Sequence, residues 1–169
     1  MNIDILKGLG AFVLLLLAQA LVLNHIHLFN CATPLLYVYM ALLFPRNFPR
    51  WATLISCFTM GLCIDIFSNT PGVAAGSMTL VGLLQPYLLT LFLPRESPED
   101  LVPSMLSLGF SKFIWYALFL TLIYTLAFFA LEAFTFVNWQ HWLECVGESF
   151  AITAVLLLTI EYFRCRISA

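Results

Sequence analysis

The sequence contains very little charge. Only 9% of its 169 residues are Asp, Glu, Lys or Arg, whereas a soluble domain carries roughly 25%. Hydrophobic residues make up 62% of the chain. A globule of this composition would have too little polar surface to face water, so lipid must solvate much of it. We expect the lipid bilayer to surround the chain, and we expect no nucleic acid among its partners.

Motifs for catalysis and for metal binding are also missing. The five cysteines form no C-x-x-C pair and have no histidine at metal-ligand spacing. No serine or cysteine lies in a nucleophile-elbow context, and no glycine-rich phosphate loop follows a strand pattern. We therefore expect neither enzymatic activity nor a bound metal or cofactor.

The sequence has long apolar runs instead. The run that begins at Gly10 is hydrophobic on every face, and it lacks the alternating polarity of a transmembrane β-barrel strand. Backbone groups cannot stay unpaired in hydrocarbon, so a chain of this kind crosses the bilayer as helices. The sequence predicts a single all-α membrane domain over residues 1–169.

The apolar runs predict about six transmembrane helices. The second is short for a full crossing, which needs about 20 residues. Pro34 near its start suits the first turn of a helix. The predicted spans cover about residues 5–23, 28–44, 51–67, 73–93, 108–131 and 147–163, with an outer interfacial helix at about 135–146.

The first span has an alternative interpretation as a cleaved signal peptide. Lys7 would supply the basic start, and Ala18-Gln19-Ala20 resembles a cleavage site. The apolar stretch from 9 to 23 is long for a signal peptide, whose core of 7–15 residues must end before the cleavage site. We favour an uncleaved membrane anchor.

The basic residues indicate the orientation. All of them fall at the N-terminus, the 2–3 turn, the 4–5 loop or the C-terminus, and none falls in the other loops. Cytoplasmic loops retain Lys and Arg, so we expect both termini inside and a multi-pass protein of the inner (cytoplasmic) membrane. The basic residues are Lys7, Arg46, Arg50, Arg95, Lys112, Arg164 and Arg166.

Asp65 is the most informative polar residue. It lies near the outer end of the third span, where the helix dipole disfavours an anion. We expect it to accept hydrogen bonds from the N–H groups that open the fourth span at residues 72–74, or from the Ser68 and Thr70 hydroxyls. Gly61, one turn earlier, would let another helix approach closely. We favour a structural role in the hairpin over the alternative, a ligand or ion contact.

Two features of the fourth span have less specific meanings. Gly72 and Gly76 form a G-x-x-x-G pattern, which predicts a small-residue face for close helix packing. Gln85 and Pro86 interrupt the span further on, and they predict a kink with a satisfied polar group or a small cavity.

The outer segment before the last span is rich in aromatic residues. Phe134, Phe136, Trp139 and Trp142 could form either an interfacial aromatic belt or a partner-binding surface. The three histidines lie at predicted outer positions without a nearby acid–nucleophile set.

A resemblance follows from these motifs. The stretch Gly61-Leu62-Cys63-Ile64-Asp65, followed by Gly72 and residues 74–75, is similar to the G-L-x-x-D and G-x-x-A pattern of the rod shape-determining MreD family. Pro34 and the basic turn at 46–50 also fit. Size, hydropathy and predicted topology agree over essentially the whole chain, whereas motif identity is confined to position 34 and residues 61–76. The proline-rich turn at 44–50 and the aromatic outer segment depart from the family.

The resemblance implies a non-enzymatic scaffold of the bacterial cell-elongation machinery, with a role in cell shape and peptidoglycan synthesis. Its partner would be an MreC-like membrane protein, with the RodA glycosyltransferase and a class B penicillin-binding transpeptidase bound indirectly. The resemblance also implies a fold like that of the substrate-binding subunits of energy-coupling-factor vitamin transporters. Such a substrate-capture subunit is the main alternative, although this chain has no A-x-x-x-A docking motif. A generic assembly subunit is a second alternative.

Overall fold

The computed structural model describes residues 2–22, 33–93, 101–133 and 139–168, which are helices joined by short turns with no strand among them. The all-helical fold predicted from the sequence is confirmed for these residues. The elements are α1 (Asn2–Leu17) with a π-helical continuation (Ala18–Val22), a 3₁₀ turn (Leu36–Val38) leading into α2 (Tyr39–Leu42), α3 (Arg50–Ser68), α4 (Val73–Phe92), α5 (Met105–Leu108), α6 (Phe110–Glu132) and α7 (Trp139–Ser168).

Four helices are long and apolar enough to span a membrane. They are α3, α4, α6 and α7, with apolar stretches of 19, 20, 23 and 28 residues. A crossing needs about 20 residues, with a range of about 17–25, so these helices indicate a membrane protein. The apolar stretch of the first helical segment, Gly8–Leu21, is shorter. α3 and α4 begin and end within one residue of the predicted spans.

The second predicted span, 28–44, is not a continuous helix in its described part. Residues 33–35 are irregular, and helical structure covers only the 3₁₀ turn and α2. Pro34 therefore lies ahead of the helical segment and not in its first turn. Every residue of the 3₁₀ turn and α2 is buried, so this segment is enclosed by its neighbours.

The predicted break between an outer helix at 135–146 and a last span at 147–163 is wrong. α7 is one helix of 30 residues from Trp139 to Ser168. Its length is about 45 Å at 1.5 Å per residue, against a hydrocarbon core of about 30 Å. Gly147 alone does not end a helix, since an isolated glycine costs only about 1 kcal/mol relative to alanine. The predicted fifth span also begins later, at Phe110 after a break at Gly109.

The long helices pack in chain order, with the most extensive contacts between α3 and α4, then α4 and α6, then α6 and α7. Successive long helices alternate in direction. The first turns of α3 and α6 therefore lie at the same end of the bundle as the last turns of α4 and α7. Hydrogen bonds join this end, including one from Arg46 N–H to Leu101 C=O at 3.1 Å. We call it the basic end, since the basic residues that lie there are Arg46, Arg50, Lys112, Arg164 and Arg166.

Candidate functional site

Asp65 is buried, with only 6% of its surface exposed, and both carboxylate oxygens are fully used. Oδ1 accepts hydrogen bonds from the Thr70 hydroxyl at 3.1 Å and from Ala74 N–H at 2.9 Å. Oδ2 accepts from Gly72 N–H at 3.1 Å and from Ala75 N–H at 2.9 Å. A carboxylate has about four acceptor sites, and these four hydrogen bonds match that number.

Local backbone geometry brings the start of α4 onto this carboxylate. Asn69 ends α3 in the left-handed conformation, with φ of 56°, and Gly72 precedes α4 with φ of 87°. Asparagine and glycine are the residues that adopt this conformation at least cost. The first N–H groups of a helix lack intrahelical partners and carry a partial positive charge. Asp65 supplies the acceptor that α4 otherwise lacks.

Gly61 lets α3 and α4 approach to backbone contact one turn before Asp65. A Cβ atom at Gly61 would lie 2.5 Å from the Ala74 carbonyl oxygen and 2.5 Å from the Ala75 Cα. Gly82 lies further along the same pair of helices and makes room for a side chain, since its Cβ would lie 2.9 Å from Cys57 Sγ. Small residues allow helices to approach closely in lipid, where van der Waals packing drives their association.

The sequence predicted that Gly72 and Gly76 form one packing face of a helix, and this prediction is wrong because the two residues do not lie on one helical surface. Gly72 lies outside α4 in the left-handed conformation, and a Cβ atom there would meet nothing within 4 Å. Gly76 is exposed, and its Cβ would lie 3.1 Å from a methyl group of Leu131 in α6. Gly72 is therefore required by backbone conformation, whereas Gly61 and Gly82 are the glycines that α3 and α4 pack around.

Gln85 joins three parts of the bundle beside Pro86. Its buried amide Nε2 donates to the Phe44 carbonyl at 3.4 Å and to the Tyr116 hydroxyl at 3.2 Å. α4 continues through Pro86 as far as Phe92. The sequence predicted either a satisfied polar group or a small cavity at this point. The contacts fit the satisfied polar group, because the amide donates hydrogen bonds to the turn before α3 and to α6.

The irregular residues 33–35 are held by side chains from distant helices. Gln19 donates to the Pro34 carbonyl at 2.9 Å, and its Oε1 accepts from Leu36 N–H at 3.0 Å. Two hydroxyls of α7 accept hydrogen bonds from backbone N–H groups of this segment. The Ser149 hydroxyl accepts from residue 33 at 3.1 Å, and the Thr153 hydroxyl accepts from residue 35 at 3.0 Å. Non-helical backbone is tolerated at membrane depth only where protein groups satisfy it. The sequence pattern around Gln19 suggested only a cleavage motif and did not indicate this role.

A second buried carboxylate, Glu161 of α7, was also missed. It is 1% exposed, and its Oε2 accepts from the Tyr39 hydroxyl and from Arg164 Nη1, the latter at 3.2 Å. Arg164 also donates to the Tyr39 hydroxyl at 3.1 Å. Oε1 accepts from Met105 N–H at 3.4 Å. The sequence did contain a sign of this role, because Glu161 is an acid inside the last apolar span. An acid in a membrane helix generally needs a partner for its charge.

The other end of the bundle presents stacked tryptophans. The Trp139 and Trp142 rings lie 5.3 Å apart, and Trp142 Nε1 donates to the Phe129 carbonyl at 3.0 Å. Trp142 therefore ties α7 to the end of α6, whereas Trp139 is 56% exposed. Phe134 and Phe136, also predicted for partner binding, lie outside the described residues.

Cys145 of α7 lies close to the tryptophans and forms a disulfide, which the cysteine spacing did not predict. Disulfides persist in oxidising compartments and are rare in the cytosol.

Comparison with known protein families, characterised proteins and solved structures finds no significant match to this chain.

Proposed function

We propose that the chain is a non-enzymatic scaffold of the bacterial cell-elongation complex, similar to the MreD family, which binds an MreC-like membrane protein. It would help to control cell shape and peptidoglycan synthesis. Its contact with the RodA glycosyltransferase and a class B penicillin-binding transpeptidase would be indirect. The proposed setting is the inner membrane, with six spans and both termini in the cytoplasm.

The observation that carries this proposal is that the motif residues form one physical unit. Gly61 contacts the backbone of residues 74–75, and Asp65 binds the N–H groups of Gly72, Ala74 and Ala75. A chance match of a short pattern would have no reason to converge on a single contact. The convergence supports the resemblance of residues 61–76 to the MreD pattern.

The proposed orientation is supported by the distribution of charge and cysteine oxidation. The basic end would face the cytoplasm by the positive-inside rule. The Asp65 end, which includes the disulfide-bonded Cys145 and the tryptophan pair, would face outward. Labelling with a membrane-impermeant maleimide should modify Cys145 from outside only after reduction, and Cys165 only from inside. Modification of reduced Cys145 from the cytoplasmic side alone would overturn the orientation.

Trp139 is the proposed centre of the partner surface. Exposed tryptophans that enter a partner's pocket often dominate binding energy. Trp139 is exposed at the end of a helix that extends beyond the hydrocarbon, while Trp142 anchors it to α6.

The test is co-purification of the tagged chain from native membranes, with bound proteins identified by mass spectrometry. Wild type should recover an MreC-like protein. Trp139→Ala should weaken binding of that protein about thirtyfold, which corresponds to the roughly 2 kcal/mol of an interface hot spot. Trp51→Ala is the matched control, because Trp51 is also exposed but begins α3 at the basic end.

Two results would contradict the proposal. Recovery of an energy-coupling transporter module without an MreC-like protein would support the substrate-capture alternative. Equal loss of the partner in Trp139→Ala and Trp51→Ala would remove the outer surface as the binding site.

A further inference from the structure

An apolar groove of about 380 Å³ lies at the basic end, between the first turns of α6 and the last turns of α7. It is open to the outside of the bundle, where lipid would surround a membrane helix. The α6 side presents Phe110 and Ile114, and the α7 side presents Leu158, Thr159, Tyr162 and Phe163.

The helical register places a cation in line with this groove. At about 3.6 residues per turn, the four α7 residues of the groove share one face, and Arg166 falls at the centre of that face one turn beyond Tyr162. Arg166 is exposed. Lys112 has the opposite position on α6, because it lies two residues from both Phe110 and Ile114. Of the two long helices that line the groove, α7 is therefore the one whose described residues place a cation in line with it.

The lining of the groove and the charge near it favour a lipid as its occupant. The lining residues are apolar or aromatic, apart from Thr159. A phospholipid needs an apolar channel for part of one acyl chain and a cation at headgroup level. Arginine binds phosphate with two parallel hydrogen bonds.

We propose that this groove is a binding site for an anionic phospholipid. One acyl chain lies along Leu158, Tyr162 and Phe163, and the phosphate binds Arg166. The site requires only that the bundle lies in a membrane, and it is independent of the proposed elongation-complex partner.

Native mass spectrometry of the purified full chain in mild detergent tests this proposal, with dioleoyl phosphatidylglycerol and dioleoyl phosphatidylcholine as the two probes. Wild type should bind the anionic lipid about fivefold more tightly, the gain expected from one arginine at an anionic surface. Arg166→Gln should abolish that preference, and Lys112→Gln, the matched control, should retain it. Thr159→Trp should weaken binding of both lipids by filling the groove.

Equal binding of the two lipids by wild type, or the same loss in Arg166→Gln and Lys112→Gln, would overturn the proposal. A photo-reactive residue at position 159 should capture lipid in native membranes. Capture of a polypeptide there would also overturn it, because the groove would then belong to a protein interface. Failure of the MreC-like partner to co-purify would leave the lipid result unchanged, so the two proposals can fail separately.

Discussion

Asp65 and Glu161 are two buried carboxylates that stabilise opposite ends of the bundle in different ways. All four hydrogen bonds to Asp65 come from residues five to ten positions away. Glu161 accepts hydrogen bonds from Tyr39, which is 122 residues away in the chain, and from Met105, which is 56 residues away. It also pairs with Arg164, whose side chain is 41% exposed, whereas the partners of Asp65 are mostly backbone N–H groups.

The difference shows how each end depends on its acid. The Asp65 contact joins two helices that are adjacent in the chain, and two of its donors are N–H groups of the buried residues Ala74 and Ala75. The Glu161 contact joins α7 to α2 and α5, and Arg164 retains access to solvent. We therefore expect loss of Asp65 to damage the fold more than loss of Glu161.

The largest effect is expected from Asp65→Leu. It leaves the N–H groups of Gly72, Ala74 and Ala75 without their acceptor, at about 1–3 kcal/mol for each of the two buried residues, Ala74 and Ala75. Asp65→Asn should be intermediate, because its amide nitrogen cannot accept from the two donors it would face. Thermal unfolding in detergent and abundance in membranes should rank wild type above Asn and Asn above Leu. Equal stability of Asp65→Leu and wild type would refute the anchoring role.

Gly61→Ala should have the next largest effect. The new methyl group would meet the backbone of α4 at 2.5 Å, and overpacking of this kind costs about 1–3 kcal/mol. The control is Gly147→Ala in α7, where a Cβ meets nothing within 4 Å and helix propensity improves by about 0.5–1 kcal/mol. The two variants should shift the melting temperature in opposite directions. If the melting temperatures of both variants shifted in the same direction by a similar amount, α3 and α4 would not need the close approach at Gly61.

Glu161→Leu should destabilise the bundle by about 1–2 kcal/mol, less than Asp65→Leu, because the exposed guanidinium of Arg164 can turn to solvent. The effect should be local. Hydrogen exchange should rise at Met105–Leu108 and stay unchanged at residues 70–76, with the reverse pattern in Asp65→Leu. Glu144→Gln, an exposed acid on the same helix, is the control and should change neither region. Increased exchange throughout would remove the distinction between the two ends.

Trp142→Phe should have the smallest effect, about 1 kcal/mol, from loss of the hydrogen bond to the Phe129 carbonyl. Phenylalanine retains most of the apolar contact, so the stability change should be separable from packing. Hydrogen exchange near the junction of α6 and α7 provides the measurement. A loss as large as that of Asp65→Leu would mean that the indole is a principal anchor of this end.

The sequence allowed prediction of the features that depend on neighbours along the chain. Helices α3 and α4 follow from apolar runs and turn residues, and the Asp65 bonds follow from an acid facing the free N–H groups of the next helix. Thr70, Gly72 and Ala74 donate as predicted, with Ala75 in the place of Val73. That Asp65 has a structural role in the hairpin, and does not contact a ligand or ion, stays a prediction.

Features that depend on tertiary contact could not be predicted in this way. The irregular backbone around Pro34 is stable only because Gln19, Ser149 and Thr153 reach it from other helices. Periodicity could not show that α7 continues unbroken, because the polar stretch before Gly147 resembled an interfacial helix. The partners of Glu161 lie in three segments that only the assembled bundle brings together.

We expect the Asp65 motif to build the fold and the partner to bind elsewhere. The direct measurement is the amount of MreC-like protein recovered per folded molecule, for wild type, Asp65→Asn and Asp65→Leu. We predict that the folded amount falls in that order while the ratio of partner to folded chain stays constant. If Asp65→Leu folds in normal amount but loses its partner, Asp65 itself contacts the ligand and the account is wrong.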